Sequence, residues 1–327
     1  MAATYTGTLP WTYGSKVQDL KTSKEALTDA GLDWNVRKEP LVAHLTLPDG
    51  SLLDQPVKGK FTVVRDDTNV PIGIVGKNFR PVPNEEATAL LDSFAEEAQA
   101  KFEYAGCIGQ GEIVWFKVNL PKEIRIKDNP DEVVGFNLVL TNAFNGSKSL
   151  EMHFVPVLNS QATVLNTNTH KTDSMKIRHT KMYDEHIKEV RKVLHLSENY
   201  FETLGDMWNN LADIKVNKDR FEEVMNTIMP LPLPDENGEV SKTAQTRAET
   251  ARENLQYLVD EQNIINKFPN TGWSTFVAIS KYADFERSFK SRKGEEGSRE
   301  ELRLISILEG SSQTLKNEAL TILLEGK

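Results

Sequence analysis

The residues best placed to do chemistry in this sequence are cations rather than nucleophiles. Arg287, Lys290, Arg292 and Lys293 fall within seven residues without an acid among them, and Phe285 and Phe289 lie beside and between them. A second stretch, 170–195, carries Lys171, Lys176, Arg178, Lys181, Lys188, Arg191 and Lys192 against Asp173, Asp184, Glu185 and Glu189. Positive charge beside aromatic faces can track a single nucleic-acid strand, because phosphates need cations and unpaired bases need stacking platforms. The competing reading of either stretch is a solvated helix face with its aromatics turned into the core.

Other chemistry-bearing residues lack the spacing that their chemistry needs. Gly106, Gly109 and Gly111 invite a phosphate-loop reading, but a Walker loop needs Lys and then Ser or Thr after its last glycine. Here Glu112 follows, and Ile113-Val114-Trp115-Phe116 is strand-like where a dinucleotide fingerprint would begin a helix. A tight hairpin turn accounts for the cluster. None of His44, His153, His170, His179, His186 and His195 falls in a metal-binding spacing. His179 and His186, seven apart, are able to share a helix face. The single cysteine, Cys107, has no base or oxyanion partner close in sequence, and a small semi-buried side chain is its simpler reading. Asp66 and Asp67, with Asp33, offer oxygen ligands for a divalent cation, although aspartates in a turn more often bond their own backbone.

These residues must be positioned by two different kinds of structure. The first half reads as strands, with Leu32–Val36, Leu41–Leu47, Lys60–Arg65 and Val70–Val75 carrying β-formers and the turn Asp66-Asp67-Thr68-Asn69 joining the last two. Asn84 is a candidate cap for a helix from Glu85 to about Ala100, in which Leu90, Leu91, Phe94 and Ala98 share a face. A second hairpin pairs Phe102–Ala105 with Glu112–Leu120. A third pairs Val133–Thr141 with Leu150–Leu158 through Asn145-Gly146.

The second half is helical in pattern: Lys181–Leu211, Phe221–Met229, Thr243–Lys267, Trp273–Phe289, Arg299–Leu308 and Gln313–Leu324. Pro230, Pro232 and Pro234, then Asn237-Gly238, separate the second of these from the third. The fold class expected is α+β: an N-terminal antiparallel sheet of hairpins with a packed helix, followed by a mainly α-helical part. The domain division expected is 1–165 for the hairpin-rich unit and 166–327 for the helical one.

Composition narrows the functional classes. The chain has 327 residues, with 39% apolar and 27% charged, which is ordinary for a folded protein and argues against wholesale disorder. The net charge of −9 removes a whole-protein basic footprint, so any nucleic-acid contact must be a local patch. One cysteine allows no internal disulfide, and no apolar run approaches the roughly 18 residues of a membrane span. Residues 1–14 lack the pattern of a signal peptide, and the expected location is the cytoplasm.

Several short motifs in order resemble a known family, the phage/plasmid-like proteins built on a domain of unknown function (nine-thirty-two in that series). They include Ala30-Gly31-Leu32-Asp33-Trp34, Val64-Arg65-Asp66-Asp67, Val75 to Asn84, Tyr104-Ala105-Gly106 to Gly111 with Val114-Trp115, and Leu140-Thr141-Asn142 with Asn145-Gly146-Ser147. Ile177-Arg178-His179-Thr180, Gly272-Trp273 through Tyr282, Leu315-Lys316 and Ala319-Leu320 continue the series. The chain departs from the family pattern at Ser160–Leu165, where a Cys-Asn-Thr-Leu run is usual, and at Val277, where Asn is usual.

The resemblance implies a bacteriophage or plasmid gene product acting in bacterial cytoplasm, and it implies no reaction. The element order is also similar in outline to Rad-fifty-two-like single-strand annealing proteins, an analogy of order alone. The leading expectation is therefore a non-enzymatic, oligomeric protein that binds or anneals single-stranded DNA, without cofactor or metal. Its phosphate contacts are expected at Lys176, Arg178, Arg287, Lys290, Arg292 and Lys293, with Lys77 and Arg80 as further candidates. Phe79 and Phe289 are the candidate stacking platforms. The alternative expectation is a protein-interaction module that modulates a host factor through an acidic face made by Glu85, Glu86, Glu96, Glu97 and Glu103. A metal-dependent hydrolase or nuclease using Asp33, Asp66 and Asp67 is the third expectation.

Overall fold

The computed structural model describes residues 14–17, 22–165, 174–177, 200–234, 236, 238–287 and 299–325. Two antiparallel sheets form the first half. The larger runs in the order β1 (Ser15–Lys16), β5 (Lys101–Ile108), β6 (Ile113–Arg125), β7 (Val133–Ala143), β8 (Leu150–Leu158) and β10 (Ser174–Ile177), with the short β9 (Thr163–Val164) also paired to β8. The smaller is a meander of β2 (Val36–Thr46), β3 (Leu52–Arg65) and β4 (Pro71–Gly76).

The hairpins form where apolar residues alternate between turn residues. The β5–β6 turn uses Gly109 at φ +63° and Gly111 at φ +119°, backbone conformations that suit glycine. The β7–β8 turn uses Gly146 at φ +74°. β8 has the expected bounds, β5, β6 and β7 run further than the sequence pattern marks, and β10 returns after residue 166 to pair with β8.

In the first half two helices pack on the sheets. Helix α1 (Ser23–Asp29) starts with a reciprocal capping box between Thr22 and Glu25. Helix α2 (Asn84–Ala98) buries Ala87, Leu90 and Leu91 against the sheets. Asn84 does not cap it. Pro83 stands at the cap position, and the buried Asn84 amide instead donates to the Leu32 carbonyl at 3.0 Å. Leu32 is likewise not in a strand: β2 begins at Val36, and Leu32 fills the core just after Gly31 ends α1 in the left-handed region.

The second half contributes a helix over 200–213 (α3), α4 (Lys218–Ile228), α5 (Lys242–Ile265), α6 (Gly272–Lys281), α7 (Arg299–Glu309) and α8 (Ser311–Glu325). Side-chain caps start α4 (Asn217), α5 (Ser241) and α6 (Thr271 with Ser274). The expected helix Trp273–Phe289 divides. After Lys281 the chain widens into a π turn, Tyr282–Glu286, closed by Arg287 N–H donating to the Tyr282 carbonyl, and Arg287 itself is extended.

One apolar core joins sheet and helices: Phe136 and Phe154 pack against Phe201, and Trp208 lies between Phe136 and Trp273. The buried Glu132 accepts from the Trp273 indole at 3.2 Å and from the Lys267 backbone at 3.0 Å. Gln161 and Gln262 exchange amide bonds at 3.0 and 2.6 Å. A smaller core cluster, with Trp115, Val139 and Val155, lies under Leu304, Ile307 and Leu308 of α7. Among the described residues no helix is long and apolar enough to cross a membrane.

Candidate nucleic-acid interface

Among the described residues an exposed basic surface lies where β3, β4 and the connector to α2 meet. Lys60 is paired with Gly76, the last residue of β4, and Lys77 follows directly. Lys58, Lys60, Lys77 and Arg80 are all exposed. Lys38, on β2, holds this surface together from behind. Its ammonium donates to the carbonyls of Lys77 and Phe79, both at 2.9 Å, and lies 4.7 Å from the Phe61 ring centre. Arg80 faces Glu86 at 3.9 Å, a loose surface pair. Lys60 thus lies across from the start of the connector that carries Lys77 and Arg80, with Lys58 two residues further along β3, in a chain of net charge −9.

Of the sequence-expected contacts, Lys77 and Arg80 belong to this surface. Phe79 is half-buried and packs against the core, so its ring is partly taken up by packing. Lys176 lies elsewhere, on β10, directly opposite Glu151 and 3.1 Å from its carboxylate. Arg287 is half-buried and donates to the Ser311 carbonyl at 2.9 Å, tying the end of the π turn to the start of α8. Phe285, which belongs to the same stretch, is buried. Arg178, Lys290, Arg292, Lys293 and Phe289 lie outside the described residues, as do His170, His179, His186 and His195. Sequence reading missed Lys38, Lys58 and Lys60. They lie on strands apart from Lys77 in the chain; the pairing of Lys60 with Gly76 brings Lys58 and Lys60 to it, and Lys38 reaches it through the Lys77 and Phe79 carbonyls.

The large sheet carries a second polar group on one face. Tyr104, Lys117, Val139, His153 and Ser174 are successive partners across β5, β6, β7, β8 and β10, with Thr141, Glu151 and Lys176 in the next row. The charged members are paired within the fold, Lys176 with Glu151 among them. Lys117 is bound by Glu103; burial draws its pKa below the usual lysine range, and the Glu103 carboxylate opposes that shift. His153 faces the buried Glu151 at 3.3 Å. At one end of this face an open pocket of about 410 Å³ is lined by Asn119, Lys122, Glu123, Asn137 and Asn159 among others.

The remaining candidates are likewise occupied by structure. Asp66 is held by Arg37 at 3.0 Å and Asp67 by Arg65 at 2.7 Å. Both carboxylates therefore serve guanidinium groups. Hydrogen bonds from Arg65 keep the Asp67 carboxyl below the usual range. The Cys107 thiol is pushed up by burial, which disfavours the reactive thiolate. The acids expected to form one face divide among partners: Glu85 faces Lys24, Glu86 faces Arg80 and Glu103 binds Lys117. The side chains of Glu96 and Glu97 lie outside the described residues.

Many of the family-like motif residues meet at the joint between the two sheets. Arg65 stacks on Trp34 at 4.2 Å and donates to the Gln110 carbonyl at 2.7 Å, while Trp34 also touches Phe144. Asn142 donates to the Val82 carbonyl at 2.9 Å and lies 3.4 Å from the Asn84 amide oxygen. A side chain on Gly73 would fall 2.4 Å from the Asn145 backbone, so the β7–β8 turn rests directly on β4.

Fold and surface together define an α+β protein: an antiparallel sheet joined to a basic-edged meander, with a helical half docked on it. The chain belongs to the family described as Domain of unknown function (DUF932), whose profile matches residues 71–305, from the start of β4 into α7. No curated protein and no solved structure matches the chain.

Proposed function

We propose that this protein binds single-stranded DNA through the surface formed by Lys58, Lys60, Lys77 and Arg80, as a non-enzymatic, oligomeric, annealing-type protein. On this reading it is encoded by a phage or plasmid and acts in the bacterial cytoplasm. The observation that carries the proposal is the pairing of Lys60 with Gly76, which sets exposed Lys58 and Lys60 next to exposed Lys77 and Arg80. Lys38 fixes the connector through its main-chain carbonyls, so the neighbouring cations are presented on a braced backbone. Annealing requires only neutralised backbones and accessible base edges, and exposed cations supply the first.

The test is the double variant Lys60→Glu/Lys77→Glu, titrated with a labelled oligonucleotide at several salt concentrations. Two lost phosphate contacts should flatten the salt slope by about 1.4, at roughly 0.7 per contact for a single strand, and weaken binding about tenfold or more. An unchanged affinity and slope would remove this surface from the account.

A further inference from the structure

We propose that the run Pro230-Leu231-Pro232-Leu233-Pro234 is a docking motif for a partner protein that reads polyproline II helix through an aromatic-lined, basic-rimmed groove. The run opens the connector between α4, which ends at Ile228, and α5, which begins at Lys242. Each proline ring fixes its own φ, and each proline also bars the residue before it from the helical region. Leu231 and Leu233 both precede a proline, so the whole run is held to extended or polyproline II backbone. In agreement, 230–234 belong to no helix and no strand. The entry to the run is fixed. Arg252 of α5 donates from Nε to the Met229 carbonyl at 2.9 Å and from its terminal nitrogen to the Asn226 side-chain oxygen at 2.8 Å.

The run is preformed and also bare. Leu233 is 88% exposed and Leu231 47% exposed, so almost nothing of the chain itself covers Leu233. Pro230 and Pro234 are exposed and Pro232 is half-buried. Among the described residues none hydrogen-bonds to 230–234. The five residues carry no polar side chain, so every edge of a threefold polyproline II helix built from them is apolar.

Backbone chemistry and charge select the occupant. Successive N–H groups of an extended chain point to opposite edges, so prolines at 230, 232 and 234 strip every donor from one edge. Only Leu231 and Leu233 keep an N–H, which makes the run a poor added strand for a partner's sheet. Asp235, Glu236 and Glu239 follow, with no cation before Lys242. They repel nucleic-acid phosphates and anionic lipid headgroups, and they suit a groove with a positive rim. A second copy of this chain is a poor reader, because Tyr257 is the one aromatic among the exposed large apolar residues described. What remains is a groove of aromatic rings, on which a preformed Pro-rich helix docks at little ordering cost.

This inference is independent of DNA binding. The experiment titrates the full chain against a panel of purified aromatic-groove domains of the SH3, WW and EVH1 types, with a synthetic 228–236 peptide as competitor. The expected result is saturable binding to at least one domain, displaced by the peptide. Pro232→Ala/Pro234→Ala and Leu233→Asp should each weaken it about tenfold or more, because one loses the preformed helix and the other an apolar edge. Ile264→Ser, at an 84% exposed position on α5, should leave binding unchanged. All three variants alter positions outside the core, so thermal unfolding should match the wild type. Absence of binding to every domain, undiminished binding by both run variants, or an equal loss in Ile264→Ser would each overturn the proposal. Binding of the wild type to anionic vesicles that Leu233→Asp abolishes would also overturn it, by assigning the run to a membrane. Oligonucleotide affinity of the same variants should equal that of the wild type, since Lys58, Lys60, Lys77 and Arg80 are untouched.

Discussion

Lys316 and Asp284 are both fully buried and 2.7 Å apart, with Lys316 also donating to the Val164 carbonyl at 3.0 Å. The pair therefore clamps α8 to the π turn and to the end of the sheet. Burial pushes the Asp284 carboxyl up to about 6, against the pull of Lys316 and Arg303. Burial also draws the Lys316 ammonium down, against the pull of Asp284. Removing one partner leaves an uncompensated charge, so Lys316→Met should cost about 3–5 kcal/mol, while Lys316→Met/Asp284→Leu should recover most of it. Urea denaturation of the two variants checks this. The pH dependence has a definite sign. Between the ordinary value of 3.8 and about 6 the folded state holds a proton that the unfolded state has released, so this group's contribution to stability falls as pH rises through that window. Asp284→Asn should remove that slope from a series of urea midpoints taken between those pH values. None of this was legible in sequence, where Lys316 follows Leu315 in a helix pattern and looks like a surface lysine.

Elements were read most accurately where the signal is local. The β5–β6 and β7–β8 hairpins follow from alternation on either side of glycine turns, and α4, α5, α7 and α8 follow from helical spacing. The errors arose where a distant partner overrides the local preference. Asn84 reads as a cap, but Pro83 stands at the cap position, and the Asn84 side chain instead donates to the Leu32 carbonyl 52 residues away and accepts from Asn142. The β3 strand extends to Leu52, past Gly59 and Pro56, because β2 pairs with it from Phe61 to Arg65 and again from Leu52 to Pro56. The glycine cluster gives the sharpest test at this scale. Gly111 combines φ +119° with a close approach in which a Cβ would stand 2.9 Å from the Trp34 ring. Gly111→Ala should therefore cost about 1–3 kcal/mol by forcing both backbone strain and displacement of Trp34. Thermal or urea unfolding reads that cost directly, and unaltered stability would refute the role given to this turn as a packing joint.

At the scale of the whole molecule, the α+β class and the order of sheet before helices were legible in sequence, because hydrophobic period and turn chemistry change sharply between the halves. The basic surface was only half legible. Lys77 and Arg80 stand together in the chain, whereas Lys38, Lys58 and Lys60 reach them only through strand pairing. The docked helical half was legible as helices but not as a layer sharing a core with Phe136 and Phe154. On the proposed function this molecule, acidic in total, offers single-stranded DNA a local cationic surface at Lys58, Lys60, Lys77 and Arg80. The most direct test is fluorescence anisotropy of labelled single-stranded and duplex oligonucleotides titrated with the full chain at low and at moderate salt. The expected outcome is binding that favours the single strand and weakens steeply as salt is raised. No binding of either oligonucleotide at low salt would contradict it.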